Sequence, residues 1–153
     1  MFEAGFAQAS ITPEHRTVLC GYRARREKAR GTHDELNATC AVLSDGDKRI
    51  VLFSLDLIGV TKDISDSLKS ILSKRTGIKQ DNILIACTHT HSGPDTIYLF
   101  GAGDDIQRYC RQLKDQIPIL VEKALSKMAE TRVSIVQTKV SDIAFNRRLL
   151  LKD

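Results

Sequence analysis

The sequence predicts an α/β fold, a mixed sheet with partly parallel strands flanked by helices. Three observations lead to this prediction. Short apolar stretches with strand character recur along the chain, amphipathic helical stretches separate the later ones, and the Asp45-Gly46 pair indicates a tight hairpin between two of them. With 153 residues, of which 42% are hydrophobic and 27% are charged, the chain fits one globular domain with one core.

The first part of the chain predicts three strands and one long loop. Residues 4–11 alternate weakly between apolar and polar side chains and stop before Pro13, which cannot donate to a sheet ladder. The charged, glycine-containing segment that follows, up to about residue 36, has no regular period and predicts a long loop. Strands at 38–43 and 49–58 come next. The second is apolar on both faces, which predicts a central strand covered by layers on both sides.

A helix and a second buried strand follow the hairpin. Thr61 or Asp63 can cap the start of this helix, and Gly77 can end it in the left-handed conformation. The apolar run at 82–87 then predicts a strand. The resulting order of strand, helix and strand is typical of parallel pairing.

The last part of the chain predicts one long helical region and one more strand. Apolar residues at helical spacing extend over 105–130, and Pro118 predicts an interruption or a kink within them. A final strand is predicted at 132–140.

Composition restricts the class of protein. No apolar run approaches the roughly 20 residues that span a bilayer, and the start has no basic segment followed by an apolar one, so we expect a cytoplasmic protein without a transmembrane segment. The net charge of +4 is concentrated at 23–30, which lacks interleaved aromatic residues, so we expect a solvated basic loop and no nucleic-acid partner. Reduced, mostly buried thiols are expected at all four cysteines, Cys20, Cys40, Cys87 and Cys110.

Polar side chains follow two of the predicted buried strands. Asp56 comes near the end of one, and His89 and His91 follow the other. Residues two apart in extended backbone point to the same side, so both imidazoles should project together, with Thr88 and Thr90 turned away. Imidazole is a common zinc ligand, and Asp56 could orient one of the two rings through its second nitrogen.

Two alternatives remain open for these side chains. The histidines can be surface or hydrogen-bonded residues without a metal, and Asp56 can be a helix cap or a loop anchor. The loop at residues 31–34 contains His33 and Asp34 and is a place from which another site group could come.

Several motifs, in order along nearly the whole chain, resemble the neutral/alkaline non-lysosomal ceramidase family. The strongest is Thr-His-Thr-His-Ser-Gly-Pro at residues 88–94. The others are Ala4-Gly5 through Ile11-Thr12-Pro13, Gly21-Tyr22, Gly31-Thr32-His33-Asp34-Glu35-Leu36, Ser54-Leu55-Asp56 and Phe145-Asn146-Arg147.

The resemblance implies a zinc-dependent hydrolase of sphingolipid metabolism that cleaves the amide of an N-acylsphingosine-like substrate to a fatty acid and an amine. It implies that His89 is a zinc ligand and that His91 and Arg147 stabilise the developing oxyanion. Asp56, His33 and Asn146 are candidates for orienting the ligands or binding substrate.

The resemblance also implies that residues 1–153 are the amino-terminal part of a ceramidase-like catalytic domain, truncated at its C-terminal end. In the family, a second histidine, a glutamate and a tyrosine bind the zinc from further along the chain. Two other functions stay open, a catalytically silent fragment or binding module and a metal-dependent hydrolase of another amide or ester. The expected partners are a lipid-like or small-molecule amide substrate and either a second copy of the chain or the missing C-terminal part.

Overall fold

One five-stranded sheet and two long helices make up the described part of the chain. The structure, a computed structural model, describes residues 1–25, 27–144 and 148. A short 3-10 turn at Gln80–Asn82 precedes the fourth strand. In chain order the elements are β1 (Glu3–Ser10), β2 (Asn37–Ser44), β3 (Arg49–Leu55), α1 (Lys62–Thr76), β4 (Ile83–Cys87), α2 (Asp104–Leu125) and β5 (Ala129–Glu130).

The sheet is mixed, which confirms the predicted α/β class. Its strand order is β4-β3-β2-β1-β5. β1, β2 and β3 form an antiparallel meander, whereas β4 pairs with β3 in parallel after the crossover through α1. The hairpin between β2 and β3 is the predicted one, since the Asp45 carboxylate accepts the backbone N–H groups of Asp47 and Lys48 at 3.0 and 2.7 Å.

Helix α1 begins and ends where its capping residues predict. The hydroxyl of Thr61 accepts the N–H of Ile64, and Gly77 adopts the left-handed conformation at φ 72° while its N–H bonds the carbonyl of Ser73. Its buried face, which contains Leu68 and Leu72, packs into the single core between the sheet and the helices.

Helix α2 runs without a break through Pro118, so of the two predicted outcomes, an interruption or a kink, the interruption is wrong. Apolar side chains on both sides of the proline, including Leu113, Ile117 and Val121, are buried in the same core. Their burial holds both halves of the helix against the sheet, which outweighs the one backbone hydrogen bond that proline removes. No helix in the described residues is both long and apolar enough to cross a membrane.

Within the described chain β3 is covered on one side, whereas the prediction had it covered on both. Val51, Phe53 and Leu55 face the helices and are buried, but Ile50 and Ser54 on the opposite side are exposed. The helices of the described chain share one core with one side of the sheet, so the alternate side chains of each strand are left facing outward.

This outward side of the sheet, here called the open face, carries an apolar row across four strands. Its residues lie opposite one another in the strand register, and the two at the ends, Phe6 and Leu84, are 58% and 59% exposed. The row consists of Phe6, Ala41, Leu52 and Leu84.

The predicted final strand at 132–140 is wrong as well. Strand β5 pairs with Glu3 and Ala4 only, and it runs antiparallel toward the beginning of β1. The Thr131 N–H bonds the Phe2 carbonyl just before the start of β1, and within the described chain Ile135 is 94% exposed. The β-branched residues there have strand propensity, but they have no neighbouring strand.

The predicted long loop between β1 and β2 is confirmed, and helix α2 anchors it. The Asp105 carboxylate accepts the Val18 N–H at 3.3 Å and lies 3.3 Å from the ammonium of Lys28. The Tyr109 hydroxyl donates to the carbonyl of Ile11 at 2.7 Å.

All four cysteines are free thiols, as expected.

Candidate functional site

The two histidines lie just beyond the end of β4, where the chain still pairs with residues after β3. The N–H of Thr88 bonds the carbonyl of Leu55 at 2.9 Å, and the N–H of His89 bonds the carbonyl of Leu57 at 3.0 Å. His89 itself has a φ of 63°, a left-handed conformation that is uncommon for any residue other than glycine. Such conformations cost free energy and cluster at functional sites.

The imidazole of His89 has one nitrogen held by the protein and one left for a ligand. Its Nδ1 lies 2.8 Å from the carbonyl oxygen of Ile58. A carbonyl oxygen can only accept, so Nδ1 carries the proton and Nε2 of the neutral ring keeps its lone pair. His89 is an exposed residue, and within the described part of the chain the only hydrogen bond of its side chain is through Nδ1 of the ring. Histidines that bind a metal commonly have their other ring nitrogen hydrogen-bonded to a backbone carbonyl in this way.

The structure brings His91 next to His89. The two ring centroids are 5.2 Å apart and the ring planes make an angle of 66°. Extended backbone predicted this convergence, but the observed cause differs, because β4 ends at Cys87 and His89 turns the chain through the left-handed region.

Residues of the predicted long loop pack around the His91 side chain. These contacts were not predicted from the sequence. Gly21 has a φ of 104°, and a Cβ atom there would come within 2.4 Å of the His91 ring. The Tyr22 ring meets the His91 ring edge-on with centroids 5.5 Å apart. Arg25 donates from Nη2 to the His91 carbonyl at 2.6 Å, and its guanidinium carbon lies 4.8 Å from the Tyr22 ring centroid.

The prediction that the basic segment is a solvated loop is wrong for Arg25. It is half-buried, whereas its neighbour Arg23 is exposed as expected. No local pattern distinguishes these two arginines, because the His91 carbonyl that selects Arg25 lies 66 residues further along the chain.

Asp56 lies on the other side of the histidine segment. Its carboxylate accepts the N–H of Asn37 at 2.9 Å and its own N–H bonds the Asn37 carbonyl, so it anchors the start of β2. The nitrogen of His89 that Asp56 was expected to orient is bonded to Ile58 instead. Asp56, Thr88 and Thr90 line a cavity of about 920 Å³, which the two histidines do not line in the described structure.

The remaining candidates lie apart from the histidine pair or outside the described residues. His33 lines the same cavity as Asp56, its side chain is 97% exposed, and its Nδ1 is 2.7 Å from the Asp34 carboxylate. Asn146 and Arg147 lie outside the described residues, so their roles stay predictions.

Buried polar residues fix the chain that follows His91. Asp95 is fully buried, and its carboxylate accepts the N–H groups of Leu99 and Phe100 at 3.0 and 2.7 Å. The Cys20 thiol also bonds Asp95, and burial together with this carboxylate raises the pKa of Cys20 to about 11. Thr96 donates to the carbonyl of Gly59 at 2.6 Å. An aspartate after Gly-Pro is a turn signal that could have indicated this anchoring.

The donor set at the site fits part of a zinc centre. His89 has a free Nε2, and His91 adds a second imidazole beside it. A catalytic zinc usually takes three protein ligands. The residues that the structure describes contain no group of three or more metal-ligating side chains.

These features define an α/β protein with paired histidines beyond the carboxyl end of a parallel strand, the edge at which such sheets bind ligands. The family model for neutral/alkaline non-lysosomal ceramidase, N-terminal, matches residues 2–150. The chain therefore belongs to the neutral/alkaline non-lysosomal ceramidase family, as the resemblance predicted.

Two solved structures share this fold. The crystal structure of neutral ceramidase from Pseudomonas aeruginosa matches with a TM-score of 0.71 and 25% sequence identity, covering 83% of this chain and 22% of that chain. A ceramidase complexed with C2 matches with the same TM-score and identity, covering 83% of this chain and 21% of the other. The present chain thus spans about a fifth of the length of these proteins.

Proposed function

We propose that this chain carries the first part of the active site of a zinc-dependent amidase that cleaves an N-acylsphingosine-like amide to a fatty acid and an amine. His89 is the zinc ligand, and His91 and Arg147 stabilise the oxyanion. The observation that carries the proposal is the hydrogen bond from His89 Nδ1 to the Ile58 carbonyl, which leaves Nε2 free beside the ring of His91.

The family match supports the reaction class, and the site supports the division of roles. Zinc in such a site polarises the scissile carbonyl and activates water. His89 would hold the metal through a ring that is oriented by its hydrogen bond to the Ile58 carbonyl. The His91 ring, whose centroid is 5.2 Å from that of His89, is proposed to donate a hydrogen bond to the substrate oxygen on which negative charge develops.

The cavity beside the histidine segment is the proposed place for a polar part of the substrate. It offers the hydroxyls of Thr88 and Thr90 together with the carboxylate of Asp56, and His33 lies at its border. These groups can bind the hydroxyls or the amide of a lipid-like amide without contacting the metal. Asn146 is proposed to assist substrate binding next to Arg147.

Zinc content of the purified chain tests the first step of this proposal. We expect the wild type to retain more zinc than His89→Ala, because the free Nε2 disappears in the variant. His33→Ala is the matched control, since its imidazole is exposed and bonds Asp34, and it should keep the metal. Elemental analysis after dialysis against a weak chelator makes the measurement. Equal zinc in all three proteins would overturn the assignment of His89.

An amide-cleavage assay separates the remaining alternatives. Zinc with cleavage of an N-acylsphingosine supports the full proposal, whereas zinc with cleavage of other amides or esters only would assign a different substrate. No zinc in the wild type would favour a catalytically silent fragment or binding module. Fractionation of cells that express the native gene tests the expected cytoplasmic location.

A further inference from the structure

The loop segment around Tyr22 is joined to the His91 segment at several points. The Cys20 N–H bonds the Gly93 carbonyl at 2.9 Å, and Leu19 forms a β-bridge with Pro94. Arg25 adds the bond to the His91 carbonyl. These contacts lie on both sides of Tyr22, so the segment is fixed against the chain that carries His91 before and after its aromatic ring.

The side chains of Tyr22 and Arg25 support each other. The Arg25 N–H bonds the Tyr22 carbonyl at 2.9 Å, which forms a turn, and the guanidinium lies over the ring at 4.8 Å. A planar guanidinium stacks on an aromatic face while its edge still donates hydrogen bonds. One arginine therefore holds the backbone of His91 and also the ring that touches the His91 side chain.

The His91 imidazole is enclosed on three sides by these contacts. The Cα of Gly21 lies so close that a methyl group there would overlap the ring, Tyr22 meets it at an angle of 81°, and His89 meets it at 66°. Few side-chain rotations of His91 are compatible with all three neighbours.

Arg25 also has an unsatisfied atom. Its Nε is buried and has no hydrogen-bond partner in the part of the chain that the structure describes. A buried donor without a partner is unfavourable, so the placement of Arg25 is poorly explained by protein stability alone. It is better explained by the positions in which Arg25 holds the Tyr22 ring and the His91 backbone.

We propose that Tyr22 and Arg25 are positioning residues that hold the His91 imidazole turned toward His89. The inference rests on the proposed function in so far as that orientation serves a metal-bound substrate. The side chains themselves act through His91, and neither is assigned contact with substrate or metal.

Nuclear magnetic resonance of the full chain with labelled histidine and tyrosine tests the orientation directly. In the wild type we expect nuclear Overhauser contacts from the His91 ring to the rings of Tyr22 and His89. Arg25→Ala and Tyr22→Ala should remove the contact between His91 and His89, while Tyr22→Phe should keep it because the ring edge remains. Arg23→Ala, which removes an exposed cation from the same loop, is the matched control and should change nothing.

Zinc affinity, measured by competition with a chelator, gives the second readout. Because Tyr22 and Arg25 act through His91, which is assigned to the oxyanion and not to the metal, Arg25→Ala and Tyr22→Ala should leave zinc affinity close to that of the wild type, whereas His89→Ala should lower it by about tenfold or more. Circular dichroism shows which variants are folded. If an alanine variant unfolds, the comparison of Tyr22→Phe with Tyr22→Leu, which keeps an apolar side chain but no ring edge, decides in its place.

The outcomes distinguish this inference from the proposed function. Unchanged contacts between His91 and His89 in folded Arg25→Ala and Tyr22→Ala would overturn it, as would an equal effect of Arg23→Ala. A wild type without zinc but with the expected loss of ring contacts would overturn the proposed metal site while supporting the positioning roles of Tyr22 and Arg25.

Discussion

His89 combines a strained backbone with a side chain held by one hydrogen bond. Its φ of 63° places the imidazole where Nδ1 reaches the Ile58 carbonyl, rather than where extended backbone would have aimed it. A non-glycine residue in this conformation costs roughly 1–2 kcal/mol. The surrounding hydrogen bonds of the segment, including that from its own N–H to Leu57, offset this cost.

Gly21 offers a sharp test of the site at the residue scale. Gly21→Ala adds a Cβ 2.4 Å from the His91 ring, so we expect displacement of His91 from the His89 ring and a loss of about 2–4 kcal/mol of unfolding free energy. Urea denaturation and nuclear Overhauser contacts between the two rings measure these effects.

Gly46→Ala is the control for the Gly21 prediction. Gly46 has a similar φ of 99°, but a Cβ there meets no atom within 4 Å. Gly46→Ala should therefore cost only the backbone strain, about 1–2 kcal/mol, and leave the contact between the His91 and His89 rings unchanged. Equal losses in the two variants would contradict a contact between Gly21 and His91.

At the residue scale, the sequence predicts which side chains have the right chemistry for the site. It predicts their orientation less well. His89 and His91 stand out because two imidazoles follow a buried strand. The roles of Ile58, as a carbonyl acceptor, and of Arg25 depend on contacts across 31 and 66 residues. No local spacing encodes such contacts, so only the folded chain reveals them.

Asp105 links an element to the loop that carries the site. Burial disfavours the charge of this carboxylate, but hydrogen bonds from the Lys28 ammonium and the Val18 N–H outweigh it, and the pKa of Asp105 lies below its ordinary value. A carboxyl with a lowered folded-state pKa stabilises the protein above its unfolded-state pKa, and this contribution is lost as the pH falls through the folded-state pKa.

We therefore expect Asp105→Asn to lower the unfolding free energy at pH 7 by about 1–3 kcal/mol. The difference from wild type should shrink as the pH falls below the ordinary carboxyl value of 3.8, where the wild-type carboxylate becomes protonated. Urea denaturation between pH 3 and pH 7 makes the comparison. The control is Asp104→Asn, because Asp104 is exposed on the same helical turn, and its effect should be small. A pH-independent loss in Asp105→Asn would contradict this account.

The elements that sequence reasoning predicted well have local signals at both ends. Thr61 and Gly77 cap α1, and the Asp45-Gly46 pair turns β2 into β3. The strand predicted at 132–140 had the right composition, but a strand also needs a neighbouring strand. β5 already pairs with Glu3 and Ala4, the first residues of β1, so the residues that follow β5 pass beyond the start of β1. Propensity describes the segment and cannot supply the partner.

The open face is the feature of the whole molecule that composition concealed. β3 is apolar on both faces, which predicted two covering layers, but the described helices cover one. Whether a second layer exists depends on what packs there, which is a property of the assembled molecule and not of the strand.

We expect the apolar row of the open face to promote self-association of the isolated chain. The double variant Phe6→Lys with Leu84→Lys places charge at both ends of the row and should weaken association by about tenfold or more. Sedimentation velocity over a range of concentrations makes the measurement. Ile119→Lys, on an α2 residue that is 58% exposed, is the control and should leave association unchanged. Equal weakening in both would show that charge alone is responsible.

The long sequence separations at the site have a consequence for the order of folding. The hairpin of β2 and β3 and the turns of α1 close short loops, whereas the bond from Arg25 to the His91 carbonyl closes one of 66 residues. We therefore expect the hairpin and helix to form early and the site to assemble late, which pulse-labelling hydrogen exchange can follow. A refolded preparation with full helical circular dichroism is accordingly not yet a preparation with an assembled histidine pair.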